Sequence, residues 1–223
     1  MTARRLALPV AVVFAAVLLV GSLVAPAPPG VGASGASVLA WAHDHGDAIR
    51  WQAWLVMLSS LAGGTLVALV HRHVSRGPEA TAYLVGAVLS VTVVAVATLV
   101  RLALARTGMG TGDPAHARLL ADLDAYWAPL VTFPIALQAA ALAVAARRGS
   151  LPRWVGAISL VLLAEQLAES ATIFGSHGFF APGGSMNTDL GPLLYVVWLV
   201  AQGAALSRST PAGPGSRDDG RGT

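Results

Sequence analysis

The 223-residue sequence contains no cysteine. That excludes disulfides, thiolate metal sites and cysteine nucleophiles, and leaves the redox compartment open. It contains no lysine either, since all 14 basic residues are arginine. Charge of both signs is scarce: Asp, Glu, Lys and Arg make up 11% of the chain, against about 25% in a soluble domain. The basic excess therefore reads as arginine at helix ends, not as a nucleic-acid surface, and no RNA or DNA module signature is present. Enzymatic signatures are missing too. No Walker loop, HExxH, GxSxG or GxGxxG stands in a workable context. The glycine-rich run Gly108-Met109-Gly110-Thr111-Gly112 reads as a flexible loop with no strand before it. The sequence calls for no cofactor, and a non-enzymatic protein is expected.

What the chain has in abundance is apolar residues, 55% of the total, with a mean hydropathy of +0.67. Six apolar runs approach the roughly 20 residues that a membrane span needs. They lie at about 6–25, 51–70, 81–105, 127–146, 154–174 and 189–206. Proline, glycine and arginine punctuate the gaps. The expected fold is all-α: a polytopic bundle of six transmembrane helices over residues 1–206, with a short outer amphipathic helix before the second span.

Arginine sets the expected orientation. With the N-terminus inside, Arg4, Arg5, Arg72, Arg76, Arg147, Arg148, Arg153, Arg208, Arg217 and Arg221 are all inside, against Arg50, Arg106 and Arg118 outside. This bias alternates correctly at every loop and predicts an N-in, C-in protein of the plasma membrane. Trp51, Trp127 and Trp154 fall at span ends, where indole favours the interface. One rival concerns the start. MTARRLALPVAVVFAAVLLVGSLVAPAPP has a basic head, and Ala25-Pro26-Ala27 resembles a cleavage site. Its apolar run of about 19 residues exceeds the ~7–15 of a signal peptide, so an uncleaved first helix is expected. Cleavage would leave five helices in the same orientation. The end of the chain, 207–223, is Gly, Pro, Ser and Arg with almost nothing apolar, and is expected to be a disordered cytoplasmic tail.

Three passages carry a resemblance: AWAHDHGDAIRWQAWLVMLSSLAG; DAYWAPLVTFPIALQAAALAVAARRGSLPRWVGAISLV; and FFAPGG followed by a last helix containing Trp198. Over most of residues 35–206 the chain resembles a group of uncharacterised actinobacterial integral membrane proteins known only as domains of unknown function. The resemblance implies a compact bundle in the plasma membrane and carries no catalytic residues across. Glu165 and Glu169 belong to no pattern of that group.

Those two acids pose the functional question. LVLLAEQLAESATIF places Glu165 about 16 Å into its helix at ~1.5 Å per residue, near the middle of a ~30 Å core. Glu169 shares its face one turn on. Arg101, on the third span, falls at the depth of Glu169 and would pair with it if the helices touch, since its fork matches a carboxylate; alternatively it snorkels outward. Gln138 on the fourth span, with Ser59, Ser60, Ser90 and Thr92, would form a polar layer around Glu165. With no cation at that depth, Glu165 is expected to keep its proton and to donate a hydrogen bond. Pro134, a turn from Gln138, frees a carbonyl and bends its helix. Such a layer has two readings: hydrogen-bonded glue between helices, or a proton or solute site.

The segment HDHGD offers a second candidate. His43, His45 and Asp47 are ligand types that suit zinc, copper or nickel, though a closed site would need His116, Asp122, Asp124 or His177, and the spacing matches no zinc signature. The plain reading is an exposed cap helix. His71 and His73, with Arg72, read as interfacial residues near anionic lipid. Two functions therefore stand after the sequence: proton-linked handling of a small solute through Glu165, Glu169, Arg101 and Gln138, with Glu165 as the titrating group, or a membrane scaffold or regulatory partner of another protein. A metalloenzyme is a third, weaker class.

Overall fold

The computed structural model describes residues 3–74, 77–110 and 112–208. Of the expected tail, Ser207 and Arg208 finish the last helix and the rest lies outside the described residues. The described residues form helices and turns only. These are α1 (Ala3–Val24), α2 (Gly35–His73), α3 (Pro78–Gly108), α4 (Pro114–Ala125), α5 (Trp127–Arg147), α6 (Arg153–Ser170) and α7 (Gly191–Arg208). A 3-10 turn, Ala171–Phe174, ends α6, and a π-turn, Met186–Leu190, leads into α7.

Six helical segments are long and apolar enough to cross a membrane, and they coincide with the six apolar runs of the sequence. Their exposed faces say the same. Leu23, Leu61, Leu99 and Leu193 are 76, 72, 66 and 61% exposed, on four different helices. Apolar surface on that scale is foreign to a water-soluble monomer and suits a bundle surrounded by lipid.

The six long helices close into a ring. Each packs on its chain neighbours in the order α1, α2, α3, α5, α6, α7, and α7 returns to α1. Trp198, Tyr83, Leu142, Leu162 and Val155 fill the shared core. Small residues let the ring tighten. A side chain at Gly86 of α3 would meet the Pro134 carbonyl and Gln138 of α5 at 2.7 Å. Polar side chains staple the core across helices. The Tyr83 hydroxyl donates to Gln202 Oε1 at 2.8 Å, and the Trp198 indole donates to Ser159 Oγ at 2.9 Å.

The two ends of the ring differ. One carries Arg5, Arg72, Arg147, Arg148, Arg153 and Arg208 at helix termini. There Arg148, which caps the end of α5, donates to buried Glu79 at the start of α3, at 2.6 Å, and His71 Nδ1 meets the Ala80 carbonyl at 3.1 Å. The other end carries a cap. The expected short helix before the second span is not a separate element: α2 runs unbroken for 39 residues, about 58 Å at ~1.5 Å per residue, well beyond a ~30 Å hydrocarbon core. Ser34 caps it, its Oγ accepting from Ser37 N–H. The overhanging part of α2 packs with the end of α3 and with α4 around Val38, Ala42, Leu104, Ala117 and Ala121. Helix α4 is started by Asp113, whose carboxylate accepts from Ala115 N–H at 2.9 Å, and by Pro114 at its first position.

Candidate functional site

Arg101 lies where the cap meets the ring. Its Nε and Nη2 fork onto Asp124 of α4, Nη2 at 2.7 Å, and its Nη1 donates to Gln52 Oε1 of α2 at 2.7 Å. Gln52 faces the Ser22 carbonyl of α1 at 3.5 Å. One guanidinium thus ties α3, α4 and α2 together. Asp124 is almost completely buried and accepts on both oxygens, so its charge is matched at once by the bidentate geometry arginine favours. A second pair, Arg118 with Asp122 at 2.8 Å, lies on α4, and Arg118 also donates to the Ala33 carbonyl. The pairing of Arg101 with Glu169 considered from depth alone does not occur. Helix α3 packs against α2 and α5 in the ring, whereas Glu169 lies on α6.

A cavity of about 500 Å³ lies at the cap end, lined by residues of α1, α2, α3, α4, the start of α5 and the segment leading into α7. Arg101, Asp124 and Gln52 form one side, the turn bearing Asn187 and Asp189 another, and Leu18, Val56 and Val94 the apolar depth.

Glu165 and Glu169 lie behind this cavity, in α6. Both are buried, as are Gln166 and Asn187. The amide of Gln166 donates to both carboxyls, at 2.7 Å to Glu165 Oε2 and 2.9 Å to Glu169 Oε2. Asn187 donates to Glu169 Oε1 at 2.8 Å and to Thr172 Oγ1 at 3.3 Å, while its own carbonyl accepts from Gly183 N–H at 3.1 Å. The Gln166 amide thus bridges the two carboxyls, and Glu165 lies one turn before Glu169 on the same helix. Glu169 lies against Gly191 at the start of α7, where a Cβ would stand 2.7 Å from its Oε2. Glu165 Oε1 and Gln166 Oε1 have no partner among the described residues.

The polar layer expected around Glu165 is divided. Gln138 donates to Ser90 Oγ at 2.9 Å on the α3–α5 seam, and faces the Pro134 carbonyl at 3.4 Å. Ser59, Ser60 and Thr92 return to carbonyls of their own helices. The neighbour that Glu165 does have is Gln166, the next residue in the chain.

Neither a family model, nor a curated protein, nor a solved structure matches the chain. The site stands on its own geometry.

The candidate metal ligands do not converge. His43 Nδ1 bonds the Gly108 carbonyl at 2.9 Å, closing α2 onto the end of α3. His45 Nδ1 bonds the Trp41 carbonyl at 2.8 Å and its ring stacks on Trp41. Asp47 pairs with Arg50. Among the described residues no three His, Asp or Glu side chains gather at a metal-sized site. Sequence reasoning missed Gln52 and Asn187 as site residues and met Asp124 only as a metal helper. The Asp113-Pro114 start signal could have placed Asp124 on a helix; nothing in the run SHGFFAPGGSMN points to Asn187.

Proposed function

We propose that this is a non-enzymatic, multi-pass plasma-membrane protein that handles a small solute in a proton-linked manner, the cap-end cavity receiving the solute and the Glu165–Glu169 pair carrying the proton. The arginine distribution argues for the cap facing outward. The observation that carries the reading is Asn187. It is a lining residue of the cavity, and its amide donates to Glu169. Solute and proton sites are thereby one residue apart. An ionisable residue inside an apolar span is costly to bury and stands by default as a functional-site hypothesis, since glue between helices is available from neutral amides and hydroxyls. Arg101 serves differently from Glu165 and Glu169: held by Asp124, it fixes the cap over the cavity. Gln138 acts as a strut between α3 and α5.

The test is infrared difference spectroscopy of the purified protein in lipid across pH, with Glu165→Gln and Glu169→Gln as assignment controls. Carboxyl bands that titrate and disappear in the variants are expected for a water-connected pair. Bands that never change with pH would mark a sealed strut, and would leave the scaffold reading in its place.

A further inference from the structure

The charges around the cavity constrain what it accepts. Its walls carry two guanidinium groups, Arg101 and Arg118, and three carboxylates, Asp122, Asp124 and Asp189. Both guanidinium groups are already neutralised, Arg101 by Asp124 and Arg118 by Asp122. Asp189, exposed in the π-turn, forms no ion pair among the described residues. An anion entering here would meet a net negative wall with no unmatched arginine. A cation would meet Asp189, and Trp127, an aromatic on the same cavity, is a residue type that attracts cations. Below them the lining turns apolar at Leu18, Val56 and Val94.

We propose that the cavity binds a small organic cation, an ammonium group on an apolar body, with Asp189 as its charge partner, and that this cation competes with the proton held by Glu165 and Glu169. The second half rests on the proton-linked reading above. A cation beside Asn187 is attracted to a carboxylate behind it and gains nothing from a protonated carboxyl there. Proton and cation therefore weaken each other's binding, and reciprocally so. Few other charges intervene. The polar side chains that bond Glu169 are Gln166 and Asn187, and Glu165 lies one turn before it on the same helix. Helix α5 presents no ionisable side chain before Arg147, and the α7 side offers Asp189 and Tyr195. The linkage has the sign of exchange: the cation moves against the proton, not with it.

The experiment uses the full chain in phosphatidylcholine bilayers and three probes of similar size. These are benzyltrimethylammonium, whose charge is permanent, phenylacetate and benzyl alcohol. Binding is measured calorimetrically in two buffers of different ionisation enthalpy, which counts protons. Benzyltrimethylammonium is expected to bind at least about tenfold tighter than the other two. Asp189→Asn should remove most of that preference. Binding should release protons, and the release should vanish in Glu169→Gln, whose fold is checked by circular dichroism. Equal or tighter binding of phenylacetate or benzyl alcohol overturns the proposal, as does an unchanged preference in Asp189→Asn. Cation binding without proton release overturns the competition and the proton-linked reading with it. Absence of cation binding, with carboxyl bands that still titrate, overturns this proposal alone.

Discussion

Arg101 and Asp124 illustrate what a single charge does at the edge of an apolar ring. Asp124 is buried to 3% exposure and both its oxygens rest on one guanidinium. Removing the arginine strands a buried carboxylate, which typically costs about 3–5 kcal/mol. Arg101→Leu is therefore expected to lower the thermal midpoint in detergent sharply. Arg101→Lys should recover part of the loss, because a point charge replaces the fork. The double variant Arg101→Leu with Asp124→Leu should recover most of it. Equal midpoints for all three would show that the pair does not hold the cap. At Gly191 the argument is steric. A methyl there would stand 2.7 Å from Glu169 Oε2, so Gly191→Ala should displace the carboxyl and shift its infrared band while leaving the helical circular dichroism intact. The shared face of Glu165 and Glu169 was legible in their four-residue spacing. Their partners were not, because Asn187 reaches Glu169 from a turn 18 positions away, and the pairing of Arg101 depended on which helices became neighbours.

At the level of elements, apolar runs located all six long helices, since length and hydropathy are read directly from the sequence. The cap was harder to read. The polar run HDHGD suggested a separate helix before the second span, yet nothing between Gly35 and His73 breaks the backbone. Gly46 sits inside α2, where a Cβ would make ordinary contact with Met109 of the facing segment at 3.6 Å. Helix α4 is only 12 residues long, too short to persist on its own, so its start signal matters. Asp113→Ala removes the side chain that accepts from Ala115 N–H and should destabilise α4 by about 1 kcal/mol. Amide hydrogen exchange is expected to rise across Pro114–Ala125 and to stay unchanged in α6. A uniform rise over all helices would show that the cap and the ring open together, contrary to the division of the core into separate clusters.

For the whole molecule, the closed ring gives the two ends distinct chemistry: arginines and the Arg148–Glu79 pair at one, the cap, cavity and π-turn at the other. In the proposed function the arginine bias puts the cap outside, and that placement decides which side the solute would come from. The chain itself makes this measurable, because it has no cysteine. A single introduced thiol is then the only target for a membrane-impermeant maleimide. Gly110, with open space around a built Cβ, and exposed His177 lie at the cap end, and exposed Arg147 lies at the other. Gly110→Cys and His177→Cys should label in intact cells, and Arg147→Cys only after permeabilisation. The opposite pattern would turn the cavity toward the cytoplasm. Asp189 and Asn187 would then face a pool of internal solutes, and the exchange of cation for proton would run in the other direction, with the same residues and the same sign of linkage.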